Sequence, residues 1–191
     1  FHYGTMAYGP AMQNASTDPH DTYCGWSTVR YGVGETLFKF DDQMGLRPWL
    51  ARSYEQVDDY TIKIKLRDDV VFSNGKKMTG EAVKACLEDL LARNDRAPHD
   101  LKIDAMTADG QTLTIRSHEK MPDFINYLAD PYSAIIDVDA GIHDRIAIGT
   151  GPYKAVRVDD QGLRLVKNEN YWGPVKPKLD EVLVYSIPDG N

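Results

Sequence analysis

The stretch from Tyr60 to Asn94 constrains the fold more than any other. Tyr60, Ile62, Ile64 and Leu66 alternate with Thr61, Lys63, Lys65 and Arg67. That two-residue period predicts a half-buried strand over Tyr60–Arg67. Ser73-Asn74-Gly75 reads as a turn, where glycine supplies a backbone conformation other residues avoid. Thr79 is placed to cap a helix, and Glu81 puts a carboxylate in its first turn, where the helix dipole favours one. Val83, Cys86, Leu87 and Leu90 recur at helical spacing and predict one apolar stripe, with Asn94 one turn further on.

Elsewhere the chain reads as short strands, turns and hairpins. A first strand is expected over residues 3–8, then a polar loop from Ala11 to Trp26. Ser27–Glu35 reads as a helix with Val29, Val33 and Leu37 inward, although Gly32 and Gly34 oppose it. Leu37–Phe40 reads as a strand, Asp41–Gly45 as a turn, Pro48–Ser53 as a helical turn and Tyr54–Val57 as a strand. Arg93–Asp100 reads as a loop. Strands Leu101–Thr107 and Gln111–Ser117 follow, joined by Ala108-Asp109-Gly110, a hairpin signal. A short helix is expected over Pro122–Leu128, a strand over Ser133–Ile136, and a loop over Val138–Ile146. Tyr153–Asp159 and Leu163–Asn168 form a hairpin through Asp160-Gln161-Gly162, and Leu179–Ile187 is a last strand. Many strands, few helices and several hairpins indicate an α+β fold.

A chain of 191 residues allows one or two small domains. A formal charge of −7 argues against a nucleic-acid surface, which is usually basic. No stretch approaches the length of a membrane span. The opening Phe1-His2-Tyr3-Gly4 has neither a basic region nor a long apolar run, so it reads as the start of a mature or trimmed chain.

Few residues invite chemistry. Cys86 lies on the helix stripe and reads as a buried, inert thiol; Cys24 lies in a loop, and a Cys24–Cys86 bridge is the alternative. His20-Asp21-Thr22-Tyr23-Cys24 brings nitrogen, oxygen and sulfur close together, but at no finger or ribbon spacing. It reads as a solvated loop, and no metal ligand is assigned. Gly149-Thr150-Gly151 lacks the Lys-Ser/Thr of a phosphate loop and reads as a turn. Tyr171-Trp172 reads as packing. His2, His20, His99, His118 and His143 all fall in strand ends or polar loops, and no G-x-S-x-G occurs. Asp58-Asp59 and Asp68-Asp69 fall in turns as solvated faces. Catalytic residues, a cofactor and an enzymatic activity are therefore not expected.

Three segments carry a family resemblance: PWLARSYEQVDDYT at Pro48–Thr61, LRDDVVFSNGKKMTGEAV at Leu66–Val83, and GTGPYKAVRV with LVKNENYWG within Gly149–Gly173. Together, in this order, they resemble the bacterial extracellular solute-binding proteins of family 5, the peptide- and nickel-binding receptors of ABC importers. Members of that family are well over twice this length.

The resemblance implies the N-terminal part of the first lobe of a type II periplasmic-binding-protein-like fold. It implies a smaller subdomain over about 40–145 and a second lobe outside this stretch. It implies capture of a peptide or related small solute between two lobes, delivery to an ABC permease, and an extracytoplasmic location, either periplasmic or as a cell-surface lipoprotein. It also places the turn Tyr23, Cys24, Gly25 and Trp26 in the cleft wall. Glycine there would let backbone approach a ligand, and the two aromatics would offer apolar contact. Peptides would be held largely through backbone hydrogen bonds. Nickel receptors use a first-lobe arginine near the segment matching Asp130–Ile136, which here contains none. A nickel or metal-chelate receptor is one alternative. A stand-alone ligand-sensing or interaction domain is another, of a different class.

Overall fold

Strand β5 (Thr61–Leu66) turns Ile62, Ile64 and Leu66 inward and leaves Lys63 and Lys65 exposed, as the alternation predicts. The computed structural model to which it belongs describes residues 1–5, 16–21 and 24–187. β5 lies between β4 (Ala51–Asp58) and β7 (Thr112–Ser117), and β6 (Ile103–Asp109) closes an antiparallel sheet of order β4-β5-β7-β6. Gly75 takes φ +87° in the turn that leads to helix α2 (Gly80–Arg93), where Thr79 Oγ1 accepts from the Ala82 N–H at 3.2 Å. The α2 stripe of Val83, Cys86, Leu87 and Leu90 is fully buried over β6 and β7. Leu37, Leu50, Phe72, Met78, Leu101 and Leu128 complete this first core.

A second sheet has the order β1-β10-β9-β8: β1 (His2–Thr5), β8 (Tyr153–Asp159), β9 (Gly162–Lys167) and β10 (Glu181–Ser186). β1 runs parallel to β10 and the other pairings are antiparallel. Val33, Ala155, Val158, Leu163, Leu165, Val182 and Val184 form its separate core. Strands β2 (Phe38–Phe40) and β3 (Leu46–Pro48) make a two-stranded ribbon. The mixed sheets, hairpins and short helices are the expected α+β architecture.

Local expectations differ from the structure in five places. Helix α1 spans Gly25–Arg30 rather than Ser27–Glu35; Gly32 takes φ +72°, and the chain leaves the helix so that Val33 enters the second core and Leu37 the first. Pro48–Ser53 is not a helical turn, because the Trp49 and Ala51 N–H groups donate to the Leu37 carbonyl and Ala51 pairs with Leu66. Arg93–Asp100 contains most of a helix, α3 (Ala97–Leu101); Asn94 Oδ1 accepts from the N–H groups of Arg96 and Ala97, both at 3.0 Å. Ser133–Ile136 is not a strand. Pro131–Ser133 is one 3-10 turn, and the Ile135 and Ile136 N–H groups donate to the Glu35 carbonyl and Cys86 Sγ. Residues 16–20 of the polar loop expected over Ala11–Trp26 are buried, including His20 of the segment read as solvated. The part of the first strand expected over residues 6–8 lies outside the described residues.

Candidate functional site

The turn that enters α1 is built by the segment before it. The Ser16 hydroxyl donates to the Arg145 carbonyl at 3.1 Å and accepts from the Asp18 N–H at 2.9 Å. Thr17 Oγ1 accepts from the Ala147 N–H at 2.9 Å, and the Thr28 hydroxyl donates to the Thr17 carbonyl at 2.6 Å. Each polar side chain in 16–18 thus satisfies backbone that would otherwise be buried unpaired.

His20 carries the strongest anchor. It is 0% exposed, and its Nδ1 stands 2.7 Å from Asp89 Oδ2 on α2. A carboxylate only accepts, so Nδ1 holds the hydrogen and Nε2 faces Cys86 Sγ at 3.6 Å. Arg93 binds both flanking carboxylates. Its Nη1 reaches Asp18 Oδ2 at 2.6 Å, and its Nη2 reaches Asp89 Oδ2 at 2.6 Å. Asn94 Nδ2 donates to the His20 carbonyl at 3.3 Å. Burial lowers the His20 pKa below its ordinary value, while Asp89 and Asp18 oppose that shift.

Cys86, His20 and Asp89 stand in the order of a nucleophile, a base and an orienting acid. That order does no chemistry here. Burial pushes the Cys86 thiol up to about 12, and neither Cys86 nor His20 has surface to offer a substrate. Cys24 and Cys86 are both free thiols. The described residues contain no His, Cys, Asp and Glu group able to hold a metal ion.

The expected ligand residues follow directly. Tyr23 lies outside the described residues. Cys24 is half-buried, and its carbonyl accepts from the Ser27 N–H at 3.0 Å and the Thr28 N–H at 3.1 Å, closing the first turn of α1. Gly25 is buried against the turn Pro131–Ser133; a Cβ built on it would stand 2.7 Å from the Pro131 carbonyl oxygen. Trp26 points outward and is 66% exposed. The structure therefore places Cys24, Gly25 and Trp26 on one anchored turn that displays an indole.

Sequence reasoning missed a second polar centre. Glu35 is 1% exposed and accepts from Trp172 Nε1 at 2.7 Å, the Thr150 hydroxyl at 2.8 Å and the Tyr171 hydroxyl at 3.1 Å. The Arg67 guanidinium lies 4.7 Å over the Trp172 ring. Burial pushes the Glu35 carboxyl above the usual carboxylate range, against the pull of these three donors. Tyr171-Trp172 and Gly149-Thr150-Gly151 thus hold the chain around Glu35 in place. A carboxylate within Gly34-Glu35-Thr36-Leu37, entering a strand, was the available signal. Apart from both centres, Tyr3, Tyr31, Tyr153, Leu165, Leu179 and Val182 line an apolar groove of about 510 Å³ beside the second sheet.

Comparison with known proteins adds to this geometry. The profile of the family described as bacterial extracellular solute-binding proteins, family 5 Middle, matches residues 45–191. The nickel-binding protein NikA of Staphylococcus aureus is 38% identical over 182 residues, covering 94% of this chain and 36% of its own length. The glutathione-binding protein GsiB of Escherichia coli O1:K1 / APEC is 32% identical over 191 residues, covering 91% of this chain and 36% of its own length. The crystal structure of Staphylococcus aureus NikA in complex with Ni(L-His)2 superposes with a TM-score of 0.90 at 34% identity, covering 100% of this chain and 39% of that one. The chain thus spans a little over a third of the relatives it matches.

Proposed function

The chain belongs to the bacterial extracellular solute-binding proteins of family 5, and we propose that it supplies part of the receptor of an ABC importer. In this reading the whole protein captures a small solute outside the cytoplasmic membrane and hands it to the permease. It catalyses nothing. Residues 1–191 form the N-terminal part of the first lobe, and about 40–145 its smaller subdomain. The separate cores under the two four-stranded sheets support that division.

The ligand-contact turn is Tyr23, Cys24, Gly25 and Trp26. The observation that carries this assignment is the exposed Trp26 on a turn fixed from both sides, by His20 bonded to Asp89 of α2 and by Pro131 under Gly25. An exposed indole on a rigid support offers contact area at little cost in side-chain entropy.

We favour a nickel chelate as the solute. The 38% identical relative is a nickel-binding protein. The lack of arginine in Asp130–Ile136, which would lower the expectation of nickel, counts for less beside that similarity. The described residues offer no metal-ligating cluster of their own. A peptide-like solute is the second reading, favoured by the 32% identity to a glutathione-binding protein.

Calorimetry on the native full-length protein, with nickel–histidine and with glutathione as titrants, tests both. Micromolar binding of nickel–histidine that Trp26→Ala weakens supports the first reading. Binding of glutathione alone replaces it with the second. Binding unchanged by Trp26→Ala removes the turn from the site.

A further inference from the structure

His20 does more than fill space beside α2, because the hydrogen bonds of its ring and of its own backbone lead together into the first turn of α1. The path begins at Asp89, whose carboxylate accepts from His20 Nδ1 at 2.7 Å. The His20 N–H donates to Asp18 Oδ1 at 3.0 Å, and the Asp18 carbonyl accepts from the Asp21 N–H at 3.3 Å. The Asp21 carbonyl accepts from the Cys24 N–H at 2.9 Å. The Cys24 carbonyl then accepts from Ser27 and Thr28 at 3.0 and 3.1 Å, the turn that carries Trp26. A cross-link returns from Thr28 to the Thr17 carbonyl at 2.6 Å. The path is therefore tied at both ends.

The charged and titratable groups facing His20 are Asp89 and Arg93 of α2, Asp18 of its own segment, and the Cys86 thiol. Arg93 is shared between Asp18 and Asp89, so with His20 neutral the cluster keeps one net negative charge. Asp89 is the member that fixes the imidazole: it sets the tautomer and so leaves Nε2 to the thiol. Without it, Nδ1 would face only the Arg93 guanidinium at 3.3 Å, so the ring would have to change tautomer or turn, and either would alter its contact with the thiol.

We infer that Asp89 is a positioning residue for the Cys24–Trp26 turn, acting through His20 from a helix that carries none of that turn. The inference rests on the reading of this turn as the ligand contact, but the coupling itself can be measured without any ligand.

The experiment is an NMR comparison of the protein with Asp89→Ala, Asp89→Asn and Leu90→Ala. Leu90 is a buried neighbour on α2 outside the path, so its truncation destabilises the helix and removes none of the hydrogen bonds to His20. Asp89→Ala should move the amide signals of Cys24, Gly25 and Trp26 and the Trp26 indole signal by more than a linewidth. Asp89→Asn keeps an oxygen for Nδ1–H and should restore them. Leu90→Ala should lower stability yet leave them in place. Unmoved Trp26 signals in Asp89→Ala, or equal movement in Leu90→Ala, would overturn the inference.

If Asp89→Ala does not fold, the unmutated protein decides. The His20 ring and the Trp26 indole signals should titrate with one shared midpoint, and independent titration overturns the coupling. The ligand reading fails separately: nickel–histidine or glutathione binding the full-length protein without moving Trp26 would sink that reading while the shared midpoint stands.

Discussion

Gly25 and Pro131 meet backbone to backbone. A Cβ on Gly25 would stand 2.7 Å from both the carbonyl carbon and the oxygen of Pro131, and 2.8 Å from the Tyr132 nitrogen. These neighbours are main chain and cannot swing aside. Gly25→Ala should therefore behave as an overpacked core, losing roughly 1–3 kcal/mol. A denaturant melt measures this. A loss under about half a kcal/mol, as at ordinary surface sites, would mean that the 131–133 turn yields and does not brace α1.

The α2 stripe should carry much of the first core. Leu87 is fully buried, and Leu87→Ala should cost roughly 2–4 kcal/mol, the usual range for a buried leucine. Thr79→Ala should cost about 1 kcal/mol through the lost cap, since its hydroxyl oxygen accepts from the Ala82 N–H at 3.2 Å. Urea melts of the two variants should keep that order. A Leu87→Ala loss below that of Thr79→Ala would contradict the register of the helix.

What was legible in the sequence was local. The alternation Ile62, Ile64, Leu66 and the stripe Val83, Cys86, Leu87, Leu90 each signal burial within a few residues, and all seven side chains are buried. The family followed from three segments in order. Pro48–Ser53 misled because its hydrogen bonds go to Leu37 and its strand partner is Leu66, neither visible in a local window. The anchoring of the candidate turn was illegible for the same reason. Asp18 and His20 sit in a run of polar residues that looks solvated, and their partners Asp89 and Arg93 lie about seventy residues away. Glu35 likewise draws its donors from Thr150, Tyr171 and Trp172. Polar burial leaves no periodicity, so pattern reading passes over it.

Glu35 and His20 should tilt stability with pH in opposite senses. The Glu35 carboxyl is raised above its ordinary 4.5, so its contribution is present at low pH and is lost as pH climbs through the raised folded value. His20 is lowered below 6.5, so its contribution is present above 6.5 and is lost as pH falls through the lowered folded value. Glu35→Gln keeps an oxygen for Trp172 and Thr150 but cannot ionise. Relative to the unmutated protein, its stability should therefore rise as pH increases above 4.5. Melts across that range giving a constant difference would show that Glu35 does not titrate within it.

The two thiols should separate cleanly. Cys86 is fully buried and its thiol is pushed up to about 12, so it should resist a thiol reagent until the protein unfolds. Cys24 is half-buried at the entrance to α1 and should react faster. Reaction followed at neutral pH with and without denaturant distinguishes them. Equal native rates would take Cys86 out of the core and away from His20.

The last prediction concerns how much of a ligand this chain can hold by itself. It spans 36% of the nickel-binding relative, and the receptor reading places the solute between two lobes. Ligand sites usually bury most of their ligand's surface, whereas one lobe supplies walls on one side only. The loss of translational and rotational freedom on binding is nevertheless incurred in full. If half the binding energy of a micromolar solute disappears, about 4 kcal/mol, the affinity falls to roughly millimolar. The 191-residue chain should therefore fold, since each sheet has its own core, yet show only weak contact with nickel–histidine or glutathione. Any contact should appear first in the NMR signals of Cys24, Gly25 and Trp26, where the exposed indole stands on its anchored turn. Calorimetry that finds a micromolar solute for the chain alone would overturn the two-lobe reading and favour a stand-alone sensing domain.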